Sequence, residues 1–379
     1  MKKRDRHLHF VTCAPGLEPV LHNELNALKL GRVERQVGGC VFQGDTRDAV
    51  RANLWLRTAI RVLRRLAREQ ARSEDELYTV AREIAWEQLI PPQARIVVDA
   101  QSRDSNLNHT RYVEQLVKDA VVDRFRDATG ERPSVDKEDF DLRIHVHLAR
   151  DRATISADTS GHSLHRRGWR VHQGRSPLAE TSAAGIVLHS GWDRRAPLLD
   201  PFCGTGTILI EAALIAKNRA PGIFREEFGF ERWSDNDSKL VAAERAAARK
   251  AEVAPRKLSI LGWDRDPSRV EEARENVHAA GVEDIVTIER APVRDFAPRK
   301  GWNAWIVTNP PYGERVGDVA QLTPMYRDFG ASLREQCSGY RLALLSGNED
   351  LARELGFRDS ERIALKNGAI DCELIQVEV

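Results

Sequence analysis

Residues 304–317, AWIVTNPPYGERVG, join a short apolar run to an Asn, two prolines and a Tyr. Proline has no backbone N–H, so the carbonyl of Pro310 need not serve a strand ladder, and the ring fixes the backbone that carries it. Asn309 precedes a proline and is therefore biased toward an extended conformation. Its side-chain oxygen and the Pro310 carbonyl can then form a rigid pair of acceptors. Pro311 stiffens the same segment, and Tyr312 offers a flat face on which a planar base can stack. Two acceptors beside a flat ring suit an aromatic amine, which makes Asn309, Pro310, Pro311 and Tyr312 the candidate catalytic residues.

A second cluster lies upstream in LLDPFCGTGTILIEAALIA, residues 198–216. An apolar strand ends in Asp200, Gly204 and Gly206 let a ligand approach the backbone, and the following helix presents free N–H groups. A phosphate loop would need Gly-Lys-Ser/Thr where Gly206 is followed by Thr207 and Ile208. A dinucleotide fingerprint would need a third glycine where Leu209 stands. What remains is a cradle for a ligand without pyrophosphate, beside an acid that can take an ammonium group. The next strand, ILGWD, ends in Asp264, a position suited to ribose hydroxyls. Asp266 reads as a helix N-cap. Asp295, in RAPVRDF, could accept from an adenine amino group, although an acid closing a strand is also ordinary turn chemistry.

These residues need a scaffold that brings strand ends together. From Pro197 onward the sequence alternates strand and helix: APLLD, TILIEAALIAKN, LSILGWD, SRVEEARENVHAAG, DIVTIER, WNAWIVTNPPY, PMYRDFGASLREQ, YRLALLSG, EDLARELG, then ERIALKN and CELIQVEV. That alternation predicts an open, mostly parallel sheet with helices on both faces and ligands at the carboxyl ends of its strands. The N-terminal part reads as two α+β units. The first has strands HLHFVTCA and RVERQVGGCVFQG with helices LEPVLHNELNAL and TRDAVRANLWL. The second has helices EDELYTVAREIAWEQL and YVEQLVKDAVVDRFRDAT, the strand RIVVDAQS, and a hairpin of DLRIHVHLA and RATISADTS.

Charged residues make up 30% and no apolar run approaches the roughly 20 residues a membrane helix needs, which argues for a soluble protein. The basic N-terminus lacks the apolar stretch of a signal peptide, and five scattered cysteines suggest neither a disulfide framework nor a zinc site, so the cytoplasm is the expected compartment. Residues 1–190 hold 31 Lys and Arg against 26 Asp and Glu, and 26 of those cations are Arg, which leans toward contact with nucleic acid. If TAIRVLRRLA is helical, Arg57, Arg61, Arg64, Arg65, Arg68 and Arg72 form one stripe; if it is a strand, the stripe splits. His7 and His9, and His145 and His147, share strand faces but have no Cys or carboxylate at ligand spacing, so no metal is expected. Trp169 could stack on a base or simply pack.

The DPFCGTG loop, the APGI to FGFERW insertion (residues 220–233), the NPPYGER stretch and the late segment carrying Lys366, Asn367, Gly368, Asp371 and Cys372 together resemble THUMP-domain class I S-adenosylmethionine-dependent methyltransferases that make N2-methylguanosine in RNA. The resemblance covers most of the chain, and in particular it is to the guanine-N2 half of bifunctional bacterial enzymes acting on 23S rRNA. It implies an α/β fold: a C-terminal Rossmann-like class I methyltransferase sheet, preceded by α+β ferredoxin-like and THUMP domains. The implied divisions are 1–65 ferredoxin-like, 66–160 THUMP, 161–190 linker and helix, and 191–379 methyltransferase. The resemblance assigns S-adenosyl-L-methionine to a cradle of Asp200, Phe202, Gly204 and Gly206, with Thr181 near the methionine carboxylate, Asp264 at the ribose and Asp295 at the adenine. Asn309 through Tyr312 would receive the target base, and Asn309 would also contact the cofactor. The bifunctional enzymes' second methyltransferase domain has no counterpart within these 379 residues. The implied partner is RNA, 23S rRNA first and tRNA second. The [ND]-P-P-[YFW] signature also occurs in DNA adenine-N6 methyltransferases, and a non-catalytic ribosome-assembly factor is a third reading.

Overall fold

Two β-sheets, one for each end of the chain, organise the computed structural model, which describes residues 6–174, 178–255, 257–313 and 319–379. The N-terminal sheet region comprises β1 (His7–Cys13), α1 (Glu18–Ala27), β2 (Val33–Gln36), β3 (Gly39–Gly44), α2 (Thr46–Trp55), β4 (Ala59–Gln70), α3 (Glu74–Glu83), β5 (Arg95–Arg103), α4 (Thr110–Thr129), β6 (Ser134–Val135), β7 (Leu142–Ala149) and β8 (Arg152–Asp158). Its strands run in the order β2-β3-β1-β4-β8-β7-β5-β6.

β4 joins the two α+β units into one sheet, because it pairs antiparallel with β1 on one side and with β8 on the other. Residue 65, where the sequence suggests a boundary, lies inside this strand. The segment read as a single strand from Arg32 to Gly44 is instead the hairpin β2–β3, reversing at Val37 and at Gly38, whose φ of +77° is the left-handed conformation glycine tolerates. The helix expected from Glu74 through Leu89 stops at Glu83, and a 3-10 turn, Trp86–Gln88, follows.

Because TAIRVLRRLA is a strand, its arginines are dispersed. Arg57 is buried, and its Nη2 donates to the carbonyls of Leu214 (3.4 Å) and Arg219 (2.9 Å). Arg61 pairs with the buried Asp158, and Arg64 pairs with Asp235 at 2.7 Å. Arg65 and Arg68 stay on one face of the sheet because a bulge at Arg65–Ala67 shifts the register. His9 is buried and stacks on Phe42 at 4.8 Å, and burial pushes its pKa down to about 3. Trp169 packs in the core at 2% exposure.

The C-terminal half comprises α5 (Glu180–His189), β9 (Leu198–Asp200), α6 (Thr207–Ala216), α7 (Ser238–Lys250), β10 (Ile260–Asp264), α8 (Pro267–Ala279), β11 (Val286–Arg290), β12 (Trp305–Thr308), α9 (Val319–Gln336), β13 (Arg341–Ser346), α10 (Glu349–Glu354), β14 (Glu361–Asn367) and β15 (Ile370–Glu378). Strand order is β11-β10-β9-β12-β13-β15-β14. The first five strands are parallel, and β15 enters antiparallel between β13 and β14. The order reverses between β9 and β12, the crevice where such sheets bind ligands. All ten residues of α6 are buried, consistent with a sequence that is apolar all round rather than on one stripe.

The two halves are tied by a buried polar cluster. Arg167, 1% exposed, donates Nε to Glu211 Oε1 on α6 at 3.3 Å, Nη1 to the Leu164 carbonyl at 2.8 Å and Nη2 to the Arg57 carbonyl. A guanidinium this deep persists only because carbonyls and a carboxylate satisfy it. No described helix is long and apolar enough to cross a membrane.

Candidate active site

At the carboxyl ends of β9, β10 and β12 lies a cavity of about 760 Å³, a size that suits a nucleoside-bearing ligand. Asp200, Phe202, Gly204, Asp264, Asn309, Pro310, Pro311 and Tyr312 all line it, although they come from three separate segments of the chain.

The loop after β9 is shaped by hydrogen bonds to two carboxylates. Asp200 is 1% exposed; its Oδ1 accepts from Thr308 Oγ1 at 2.6 Å and from the Phe202 N–H at 3.1 Å. Burial raises its pKa to about 7, and the neighbouring Asp264 adds to the shift. Asp264 accepts from the Gly204 N–H at 3.1 Å through Oδ2 and from the Asp266 N–H at 2.9 Å through Oδ1. Asp266 caps α8 by accepting from Ser268 N at 2.9 Å, the N-cap role expected of it. A Cβ on Gly204 would meet nothing within 4 Å, so the loop backbone faces open space there, with φ at +52°. Gly206, at φ +83°, is the left-handed residue from which α6 starts, and it does not itself line the cavity. Phe202 meets Phe329 edge-on at 5.3 Å.

Asn309 and the prolines follow β12. Asn309 Oδ1 is buried and meets no donor among the described residues. A buried acceptor left unpaired is costly, so this atom calls for a donor from beyond the described residues. No donor among the described residues reaches the Pro310 carbonyl, whereas the Pro311 carbonyl accepts from Tyr326 Oη at 3.1 Å. Glu314 and Arg315 of the NPPYGER stretch lie outside the described residues.

Two expected positions are placed differently. Asp295 sits in the 3-10 turn Val293–Asp295 with its side chain 62% exposed, 3.8 Å from Arg294, and is not a lining residue; Pro292, Val293 and Arg294 face the cavity instead. The turn rotates the carboxylate to solvent. Thr181 is buried in the first turn of α5 at 2% exposure and is likewise not a lining residue; Leu178 and Thr207 occupy that wall.

Three residues escape sequence reasoning as parts of this site. Asn367, on β14, lines the cavity and donates Nδ2 to Tyr312 Oη at 2.6 Å. A side chain at Gly347 would come within 2.8 Å of the Tyr312 ring, so that glycine leaves room for it. Asn276, 0% exposed on α8, accepts from the N–H groups of Val171 and His172 at 2.9 Å each and donates to the carbonyls of His172 (2.9 Å) and Thr205 (3.1 Å). It clamps the segment after Trp169 onto the glycine loop. Arg170 pairs with Glu180 at 2.7 Å and donates to Thr207 Oγ1 at 3.0 Å, fixing that segment to the start of α6. The KNG tripeptide was a visible signal for Asn367, but Asn276 and Arg170 have none outside the tertiary structure.

A model for the RMKL-like methyltransferase domain matches residues 167–376, more than half of the chain. The chain belongs to that family. Models for the THUMP domain and for the RlmL ferredoxin-like domain match residues 71–158 and 9–63. The chain is 40% identical over 379 residues to the ribosomal RNA large subunit methyltransferase K/L of Syntrophotalea carbinolica, covering 98% of itself and 53% of that protein. It is 41% identical to the protein of the same name from Methylococcus capsulatus, covering 98% and 51%. The chain thus spans about half the length of the curated relatives it matches. The crystal structure of SMU.472 complexed with SAH aligns at a TM-score of 0.89 and 31% identity, covering 99% of this chain and 98% of that one.

Proposed function

We propose that this RMKL-like chain transfers a methyl group from S-adenosyl-L-methionine to the exocyclic N2 of a guanine in 23S rRNA. The observation that carries the reading is the orphaned Asn309 Oδ1 in a cavity that also presents a buried carboxylate, Asp200, and the open glycine loop. The donor set fits the cofactor: Asp200 suits its ammonium, Gly204 its close approach and Asp264 its ribose, while Phe202, Pro292 and Val293 make an apolar wall for its base. Its sulfonium supplies an electrophilic methyl group when bound.

The chain's own residues do the rest. Guanine N2 is a weak nucleophile because its lone pair is delocalised into the ring. Asn309 Oδ1 and the Pro310 carbonyl take the two amine hydrogens, which turns the lone pair toward the cavity. Tyr312, held by Asn367, supports the base from its side. The rate gain comes from alignment and preorganised acceptors. No dedicated base is required, because the methylated nitrogen is strongly acidic and its proton leaves to these acceptors or to water. A paired target must be unstacked to enter. The activity is expected in the cytoplasm, where rRNA is made.

Asn309→Ala is the test: transfer should fall by about 10²-fold or more while SAH affinity measured by calorimetry stays within about twofold. Equal loss of both would remove the assigned role. Incubation with labelled cofactor and separate 23S rRNA, tRNA and DNA, followed by nucleoside mass spectrometry, should show N2-methylguanosine in 23S rRNA. N6-methyladenine in DNA would instead support the adenine reading, and label in tRNA the tRNA one.

A further inference from the structure

The two halves of the cavity stand on neighbouring strands. β9 and β12 run side by side in parallel, with Trp305 opposite Leu198 and Ile306 opposite Leu199, so their carboxyl ends meet where the sheet order reverses. Asp200 closes β9 and Thr308 closes β12, and both are buried, at 1% and 0% exposure. Thr308 Oγ1 donates to Asp200 Oδ1 at 2.6 Å, and the Phe202 N–H donates to the same oxygen at 3.1 Å. Two donors on Oδ1 fix the rotamer of the carboxylate. Oδ2 has no hydrogen-bond partner among the described residues, so it is the oxygen left for a ligand ammonium.

Thr308 is also the residue before Asn309, so whatever moves the end of β12 moves the base acceptors with it. The far end of that segment is anchored separately: Tyr326 Oη donates to the Pro311 carbonyl at 3.1 Å, and Asn367 Nδ2 to Tyr312 Oη at 2.6 Å. Neither anchor bonds to Asp200. Of these ties, the Thr308 hydroxyl is the one that responds to the charge on that carboxylate. A hydroxyl bond to an ionised carboxylate is roughly twice as strong as the same bond to a neutral carboxyl. Burial pushes the Asp200 pKa up, and the Thr308 hydroxyl is the largest influence holding it down, ahead of the Phe202 N–H; Asp264 at the end of β10 adds to the rise. Cys203 in the loop and Tyr326 on α9 are kept neutral by burial. An arriving ammonium ionises Asp200, and the Thr308 bond tightens as it does.

We propose that Thr308 is a positioning residue coupling the two halves of the site: cofactor binding strengthens its bond to Asp200 and so sets the end of β12, with Asn309 Oδ1 and the Pro310 carbonyl, in place for the target amine. Resting on the cofactor and base placements proposed above, the coupling adds an order to them, since the base acceptors are completed by the cofactor. It is reciprocal, so a seated base also tightens the hold on the cofactor.

Thr308→Val keeps the branched shape and removes the hydroxyl, whereas Thr308→Ser keeps the hydroxyl. Calorimetric titration with SAH between about pH 6 and 8.5, and single-turnover transfer to a 23S rRNA transcript at saturating S-adenosyl-L-methionine, read the two halves separately. Without the donor Asp200 is harder to ionise, so Thr308→Val should bind SAH about tenfold more weakly near pH 6 and approach wild type near pH 8.5. Near pH 8.5 with saturating cofactor its transfer rate should still fall about tenfold, because Asn309 is no longer held. Thr308→Ser should bring both back to within about threefold of wild type. A lower melting temperature with a wild-type pH profile and transfer rate overturns the coupling, as does a loss of SAH affinity that is equal at every pH. If wild type itself transfers no methyl group to RNA, the proposed function falls, while the SAH profile of Thr308→Val still upholds or overturns the link to Asp200.

Discussion

Titrating Asp200 should reveal which ligand group it receives. The carboxylate is buried and, among the described residues, accepts two hydrogen bonds, both from neutral donors, so its pKa stands near 7, about three units above an ordinary Asp. Three units correspond to about 4 kcal/mol of preference for the protonated form in the unliganded fold. The sign follows: the raised pKa contributes stability that is fully present below the unfolded value near 3.9 and is lost as pH rises through about 7. An ammonium group docked on the carboxylate reverses the preference, so binding should release a proton below pH 7. If the bound form stays ionised throughout, the association constant for SAH rises about fifteenfold between pH 5.5 and 7 and levels off above that. Calorimetry in two buffers of different ionisation enthalpy measures both the affinity and the protons released. Asp200→Asn should bind more weakly with a flat profile over that range, and in the absence of ligand should be more stable than wild type at pH 8. Constant wild-type affinity from pH 5.5 to 7 with no proton released would refute the placement of an ammonium at Asp200.

Asn367→Ala removes the 2.6 Å bond to Tyr312 and should cost about 1–2 kcal/mol of stability, lower turnover and leave SAH affinity unchanged, a split readable from denaturant melts alongside single-turnover rates. Glu211→Ala leaves the guanidinium of Arg167 buried without its carboxylate and should destabilise the chain by about 3–5 kcal/mol in urea unfolding, although neither residue lines the cavity.

Much of the C-terminal half was legible in the sequence because its signals are local. Asp200 closes β9, Asp264 closes β10 and Gly347 follows β13, and a helix comes after each of these short apolar runs, so the alternation could be read in order. The cavity was legible for the same reason: in an open α/β sheet the strand ends must converge at the reversal point, which brings Asp200, Asp264 and Asn309 together. Asp295 was not readable, since whether an acid two or three residues past a strand faces ligand or solvent depends on the turn between them. The Arg-rich TAIRVLRRLA was ambiguous between helix and strand because a short apolar run carries no decisive period. Its pairing with β1 and β8 decided the matter.

By itself, the sequence determined the reaction-bearing motifs and the alternation that builds the methyltransferase sheet, because both are written in contiguous residues. Only the tertiary structure decided that β4 fuses two α+β units into one sheet, that Asn367 reaches Tyr312 from 55 residues away, and that Asn276 clamps the glycine loop. It also split the arginines around β4 between buried ties and the sheet face that Arg65 and Arg68 share. These outcomes depend on strand register and long-range packing, which no local pattern encodes.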